Sequence, residues 1–496
     1  MSDLIVPTGA ARAELPRLRS TTGRWVVAAA VLGSGAMSFD ASVVTIAMPR
    51  IGSSFGGDMA DLQWVMTGYT LALASLLLVG GALADRFGRR RVFVWGSAGF
   101  AAASLLCALA PTLETLVAAR ALQGIAAALV TPGSLALIST LLNRRDQGAA
   151  IGWWAGLGGF AEAAGPIVGG WVVQTAGWRS VFLIDMALAV VVAIVSAKYL
   201  PESWDSRVRR PDLSGVAAVV AGLAALTYGL IGARMWMTLL GMALLGVFVI
   251  LQVRGDRPLV PPSLFTGAFP PGAGGTSTAD GRVFTAANLV TSTVYAALGG
   301  VYFLLPLQLQ LVAGYSPLQA GLAMVPITAI MLVSSSWAGH WAQRHGARIP
   351  MTVGPLLIAV GSVLLTRIDG HAPYVSEVLP GTIVFGIGLA VFVAPLTTAV
   401  FAAVPPTAAG LASGVNNAVA RTAQLLAVAA LPGVVGISGR PLTDTVAFDT
   451  GFRAALWICA ALFLLGAAIA AALMPRWRGA AAITPAAAPA AGPVQL

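Results

Sequence analysis

Long apolar stretches, each about the length of a membrane-crossing helix, constrain this chain more than any other feature. About 20 apolar residues in a helix are needed to cross hydrocarbon. In lipid only helices and closed barrels can pair all their backbone polar groups. Such runs fall near 25–48, 62–84, 92–110, 115–138, 148–173, 178–199, 213–232, 235–253, 284–312, 317–341, 350–367, 376–402, 410–435 and 453–474. That makes fourteen. Only 10% of the 496 residues are charged, and 57% are hydrophobic, against about 25% charged in soluble domains. The expectation is an all-α polytopic membrane protein with the lipid bilayer as its surroundings.

The formal charge of +10 comes from 29 basic residues. In a soluble protein it would suggest nucleic acid. Here its distribution argues otherwise. With the N-terminus in the cytoplasm, 21 basic residues fall in inner connections and six in outer ones, while Arg120 and Arg421 lie within runs. Such asymmetry orients membrane helices. Both termini are expected on the cytoplasmic side of the cell membrane, and no nucleic-acid partner is expected. Cys107 and Cys459 lie inside apolar runs and read as small core residues rather than a disulfide or metal pair. No metal and no cofactor is expected. The chain's only lysine is Lys198, so a phosphate-binding Gly-x-x-x-x-Gly-Lys-Ser/Thr loop is absent. No Ser/His/acid arrangement is evident either. ATP-driven pumping and hydrolytic enzyme chemistry are therefore disfavoured.

One connection is repeated. Gly81, Asp85, Arg86, Gly88 and Arg89 lie between the second and third runs. The same skeleton returns at Gly339, Gln343, Arg344 and Gly346, with identical Gly-to-Arg and Gly-to-Gly spacing. Two related halves are a mark of secondary transporters. The layout that follows is a cytoplasmic segment 1–24, a six-helix bundle 25–200, two accessory helices and a linker 201–283, a second six-helix bundle 284–475, and a tail 476–496. The linker is rich in Pro and Gly over 254–283. The tail is Ala/Pro-rich and expected to be disordered.

Several stretches resemble the major facilitator superfamily, in its fourteen-helix drug:proton antiporter branch. Gly81–Arg91 is similar to the superfamily's signature loop. Leu116–Gly124, with Arg120, resembles the arginine motif associated with proton coupling. Gly165-Pro166-Ile167-Val168-Gly169-Gly170 resembles the antiporter motif. Phe39–Pro49, with Asp40, resembles a first-helix motif of that branch, although Thr45 stands where Asn is usual. Gly314–Gly321 is also similar to that branch. The resemblance covers about residues 24–475. It implies two six-helix bundles plus two accessory helices, rocking about a central cavity. It also implies proton-coupled efflux of lipophilic, chiefly cationic small molecules such as antibiotics or dyes. An exporter dedicated to one endogenous metabolite or lipid is an alternative. So is a non-transporting membrane sensor on the same fold. The partners implied are a small-molecule substrate and protons, with a monomer expected.

Ionisable residues inside a bilayer cost several kcal/mol, about 2.5–3.5 for Asp at a helix centre, and invite a functional reading. Asp40 is the first candidate, as a protonatable group facing the central cavity. Its alternative is a carboxylate satisfied by Ser42 or a neighbouring helix. Glu162 shares a helix face with Gly165; it reads either as a second proton or cation site or as a partner for Arg120. Arg120 reads as a coupling residue or as a structural ion pair. Asp185 is expected near the outer end of its helix, solvated and paired with Arg179. Gly165 and Gly169 have small-xxx-small spacing for close packing, and Pro166 should kink the helix. Together with Gly170 they can seal one side of a cavity, or simply pack. Asp85 and Arg86 are expected in a cytoplasmic latch, with Arg89–Arg91 serving that or topology alone. Asn416, Asn417, Arg421 and Gln424 form a polar stripe that, with Gln308 and Gln310, is expected to line the cavity.

Overall fold

The computed structural model describes residues 15–203, 212–255, 258–268 and 280–475. The expected disordered tail, Arg207, Arg209 and Arg210, and positions 256–257 and 269–279 of the Pro/Gly-rich linker lie outside the described residues. So do the side chains of Gln343 and Arg344.

Every apolar run expected from the sequence falls on a helix. In order these are α1 (Thr21–Phe55), α2 (Met59–Phe87), α3 (Arg89–Leu109), α4 (Leu113–Leu141), α5 (Arg144–Ala176), α6 (Arg179–Tyr199), α7 (Leu213–Ile231) and α8 (Met235–Arg254). A short turn, α9 (Ser263–Thr266), precedes α10 (Gly281–Leu307), α11 (Pro317–His345), α12 (Arg348–Leu365), α13 (Leu379–Ala402), α14 (Ala409–Val434) and α15 (Thr445–Leu473). A π-helical turn, Gln308–Val312, continues α10 beyond Pro306. Twelve helices among the described residues are long and apolar enough to cross a membrane. The two that fall short are α5 and α14. One carries Glu162 and a basic first turn; the other carries Asn416, Asn417, Arg421 and Gln424.

The helices outrun the apolar stretches because polar caps, not hydropathy, set their ends. Asp58 and Asp61 form a reciprocal capping box at α2. Thr112 and Thr115 do so at α4, and Ser316 and Gln319 at α11, where Pro317 opens the helix. The 35 residues of α1 reach about 52 Å at 1.5 Å per residue, well beyond the ~30 Å hydrocarbon core.

Packing repeats between two sets of six helices. In the first, α1 packs on α5 and α6, α2 on α4, and α3 on α4 and α6. In the second, α10 packs on α14 and α15, α11 on α13, and α12 on α13 and α15. The sets meet through α5 on α11 and α2 on α14, again a matched pair. The turns after the two repeated glycine motifs match as well. Arg90 donates to the Ala197 carbonyl near the end of α6, and Arg348 to the Ala471 carbonyl near the end of α15. Of the remaining long helices, α7 leans on both α2 and α14, and α8 packs on α7.

Candidate functional site

A cavity of about 160 Å³ lies where the two sets face each other. Its wall takes Ser38, Ser42 and Thr45 from α1, Tyr69 and Thr70 from α2, Glu162 and Pro166 from α5, Tyr302 from α10, Thr328 from α11, and Arg421 and Gln424 from α14. Arg120, itself fully buried, reaches its edge from α4.

Behind that edge is a polar cluster without solvent contact. Arg120 Nη1 donates to both Asp40 oxygens, at 2.7 and 3.0 Å, and to Gln123 Oε1 at 2.7 Å. Gln123 Nε2 donates in turn to Asp40 at 3.2 Å and to Ser104 Oγ at 2.9 Å. The Arg120 guanidinium lies over the Tyr69 ring, 4.4 Å from its centroid, a cation–π contact that gains strength when desolvated. Arg120 and Asp40 are both 0% exposed. A pair this deep needs further hydrogen bonds to its remaining groups; Gln123 supplies them to Asp40 and to Arg120 Nη1, while Arg120 Nη2 has no acceptor among the described residues.

This geometry corrects two expectations. Asp40 does not face the cavity, because Arg120 stands between them, and Ser42 bonds its own helix backbone instead of Asp40. Asp185 is no solvated end-group. It is 0% exposed and adjoins Asp40, while Arg179 donates to the Ala110 carbonyl and stacks on Trp178. Six residues past Arg179 is about 9 Å along the helix, which carries Asp185 into the bundle.

Glu162 faces the cavity, where solvent reaches it, and it feels the charge of Arg421 across from it rather than that of Arg120. The polar stripe on α14 divides. Arg421 and Gln424 line the cavity and bond each other at 3.3 Å. Asn416 turns toward α10, donating to Asn288 and Thr291, and Asn417 is exposed and bonds the Ser413 carbonyl. Gln308 is also not in the wall. It is buried and donates to the Ile368 carbonyl and to Asp449. Gln310 donates to the Ile46 carbonyl of α1 at 3.0 Å, a bond between the two sets.

That bond belongs to a closed end. Gln63 donates to the Val428 and Ala429 carbonyls, and Met59 N–H to the Arg440 carbonyl. Here α5 and α11 meet backbone to backbone. A Cβ on Gly170 would lie 2.5 Å from the Pro317 oxygen, and one on Gly321 would lie 2.0 Å from the Pro166 oxygen. Gly165 and Gly169 instead make room for the side chains of Ser42 and Val43 of α1. The Gly165–Gly170 stretch is thus wedged between α1 and α11. At the opposite end, Gly148, Gly152 and Gly156 of α5 face open space.

The repeated loop lies at that opposite end. Gly88 takes φ +105°, and Glu202 receives the Arg90 N–H beside it. Asp85 pairs with Arg89 at 2.6 Å. Arg86 is exposed over Phe87, and Gly81 lies near Pro132 of α4. Among the described residues, these contacts stay within the first set.

Comparison with known proteins adds family and fold. A profile of the Major Facilitator Superfamily matches residues 30–428 and 287–494. The "Multidrug resistance protein Stp" of Mycobacterium tuberculosis is 32% identical over 400 residues, 78% of this chain and 71% of that one. The "Probable actinorhodin transporter" of Streptomyces coelicolor is 34% identical over 462 residues, 89% of this chain and 77% of that one. Among solved structures, a D-xylose-proton symporter superposes with a TM-score of 0.63 at 17% identity, covering 91% of this chain and 98% of its own.

Proposed function

The chain belongs to the Major Facilitator Superfamily, and on that premise we propose that it exports lipophilic, chiefly cationic small molecules across the cytoplasmic membrane in exchange for protons. The observation that carries this reading is the buried Asp40–Arg120 pair at the edge of a cavity shared by both helix sets. Intramembrane ion pairs of this kind mark ion and substrate pathways. The relatives named for multidrug resistance and for actinorhodin transport support transport of small organic molecules, drugs among them.

In this reading all fourteen long helices cross the membrane. The two less apolar ones, α5 and α14, turn Glu162, Arg421 and Gln424 to the cavity, and Asn416 bonds α10. α1–α6 and α10–α15 form the two bundles, and α7 and α8 are accessory. The closed end is external, both termini are cytoplasmic, and the cavity takes substrate from within. Alternating access then separates α5 from α11 and α2 from α14 outside. Glu162 offers a carboxylate to a cationic substrate. The Gly165–Gly170 wedge keeps the external end proton-tight while the cavity is open inward.

The test is proton release from detergent-purified protein on adding a lipophilic phosphonium cation, with Asp40→Asn beside the wild type. Release from wild type alone supports the reading. Equal release from both moves the proton site elsewhere, with Glu162→Gln the next variant. Binding without release in either excludes proton exchange for this cation. A narrower reading, export of one endogenous metabolite, draws on the similarity to the actinorhodin transporter. A panel of unrelated cations separates the two, since a dedicated exporter binds few of them.

A further inference from the structure

We propose that Asp185 and Asp40 hold one proton between them, with Arg120 as the single cation for which both acids compete, so that Asp185 is a second proton-carrying residue. This deepens the proton-exchange reading and rests on it.

Among the described residues, Asp185 has both of its side-chain oxygens buried without a hydrogen-bond partner, and it is 0% exposed. The carboxyl of Asp40 is among its neighbours in the cluster. Two carboxylates cannot bond each other, since both only accept; a proton on one turns it into a donor.

Charge counting leads to the same place. The groups that face the cluster are Asp40 from α1, Tyr69 from α2, Ser104 and Cys107 from α3, Arg120 and Gln123 from α4, and Asp185 from α6. Glu162 of α5 and Arg421 of α14 stand at the cavity wall. With both acids ionised, a single guanidinium leaves one unpaired negative charge in a site without solvent. Burying such a charge costs far more than protonating it. Like charges this close share a proton, and their titration belongs to the pair.

The arrangement also shows where the proton can go. Arg120 Nη2 is buried and has no acceptor. One cluster thus holds a spare donor on the arginine and two spare acceptors on Asp185. A second arrangement uses them: Arg120 Nη2 donates to Asp185, and the proton moves from Asp185 to Asp40. One O–H bond breaks and one forms, and the net charge of the cluster is unchanged. Asp40, released from Arg120, is then free to lose its proton when the neighbouring wall opens.

Infrared spectroscopy of purified, lipid-reconstituted protein tests this without any substrate. A Glu162→Gln background removes the other intramembrane acid of the cavity. The protonated-carboxyl stretching band, identified by its shift in heavy water, is expected at neutral pH. It should disappear in Asp185→Asn and also in Asp40→Asn, because either change leaves one acid to one arginine. Asp185→Glu, which keeps the carboxyl, should retain it. A band that survives Asp40→Asn overturns sharing, since Asp185 would then be neutral by burial alone. A band that survives Asp185→Asn, or is absent from the start, overturns the proposal outright. In the native background, cation-induced proton release should fall at least tenfold in Asp185→Asn. Normal release with loss of the band would overturn the coupling role alone. Wild type that shows the band but never releases protons refutes proton exchange and leaves the shared proton standing.

Discussion

Replacing Gly321 with alanine places a methyl carbon 2.0 Å from the Pro166 carbonyl oxygen and 2.8 Å from its carbon. The obstacle is backbone, so no rotamer relieves it. Ordinary contact begins at 3.4 Å, and α5 and α11 must part by about 1.4 Å along that line. Parting them strains the Gly170–Pro317 approach and the Gln310–Ile46 bond beside it. Alanine does not weaken α11 itself, being the better helix former. Overpacking of this kind costs about 1–3 kcal/mol, borne only while the external end is closed. Populations should then shift toward the externally open form by about 5–150-fold. The assay is labelling of Thr45→Cys, a cavity position, by a membrane-impermeant thiol reagent added outside. Native Cys107 and Cys459 are 0% and 1% exposed, so background is low. External labelling should accelerate at least fivefold in the Gly321→Ala background. Unchanged labelling of well-folded protein refutes the view that this glycine contact holds the end shut.

Other outcomes follow from the same contacts. Arg120→Gln leaves two buried acids without a cation and should cost about 3–5 kcal/mol, measured by denaturation in mild detergent; Asp40→Asn should cost less, because Asp185 can take over Arg120. Gly88→Ala forces φ +105° on a residue with a side chain and presses its Cβ toward Glu202, 2.6 Å away. It should destabilise the α2–α3 turn by about 1–3 kcal/mol, read as faster amide exchange there. At the N-terminus of α15, the Ala447 N–H and Arg440 hold the Asp444 carboxyl below the usual range. A depressed acid stabilises above its unfolded value, about 3.9, and that stabilisation is lost as pH falls through the lower folded value. Amide protection of Ala447 should therefore weaken only in strong acid, and Asp444→Asn should remove that dependence.

The sequence carried the helices well, because a membrane solvent leaves few options for an apolar run of this length. It carried the repeat too, since two glycines at fixed spacing survive even where Asp85 is answered by Gln343. The site was harder. Asp40 and Arg120 both stood out as intramembrane charges, yet 80 positions separate them and no local pattern announces their pairing. Asp185 was legible in principle: nearly two turns inside an apolar helix is too deep for a solvated end-group. The α14 stripe divides for a geometric reason. Neighbours on a helix differ by about 100°, so Asn416 turns away to Asn288 and Thr291, while Asn417 keeps the face of Arg421 and Gln424 but lies a turn short of the cavity wall. Gln308 and Gln310 lie within a π-helical turn that re-aims side chains in a way simple periodicity does not anticipate.

The position of Arg120 decides how substrate and proton can compete. A cation in the cavity meets Glu162, Tyr69 and the edge of Arg120, but not Asp40, which has no exposed surface. Direct competition for Asp40 is therefore excluded in this conformation, and coupling to that acid must pass through the guanidinium. A bound cation repels Arg120 and presses it onto the acids, which favours their ionised forms and expels the shared proton. Protonation from outside weakens that hold and lets Arg120 return toward the cavity, which disfavours the cation. On this account Asp40→Asn should leave the affinity for a lipophilic phosphonium cation within about threefold while abolishing its dependence on pH. Glu162→Gln should do the reverse, lowering affinity while the remaining binding still releases protons. Equilibrium binding measured across pH 5 to 8 for both variants checks this. Loss of binding in Asp40→Asn, with the fold intact, would mean that substrate touches Asp40 directly and that the guanidinium is not the intermediary.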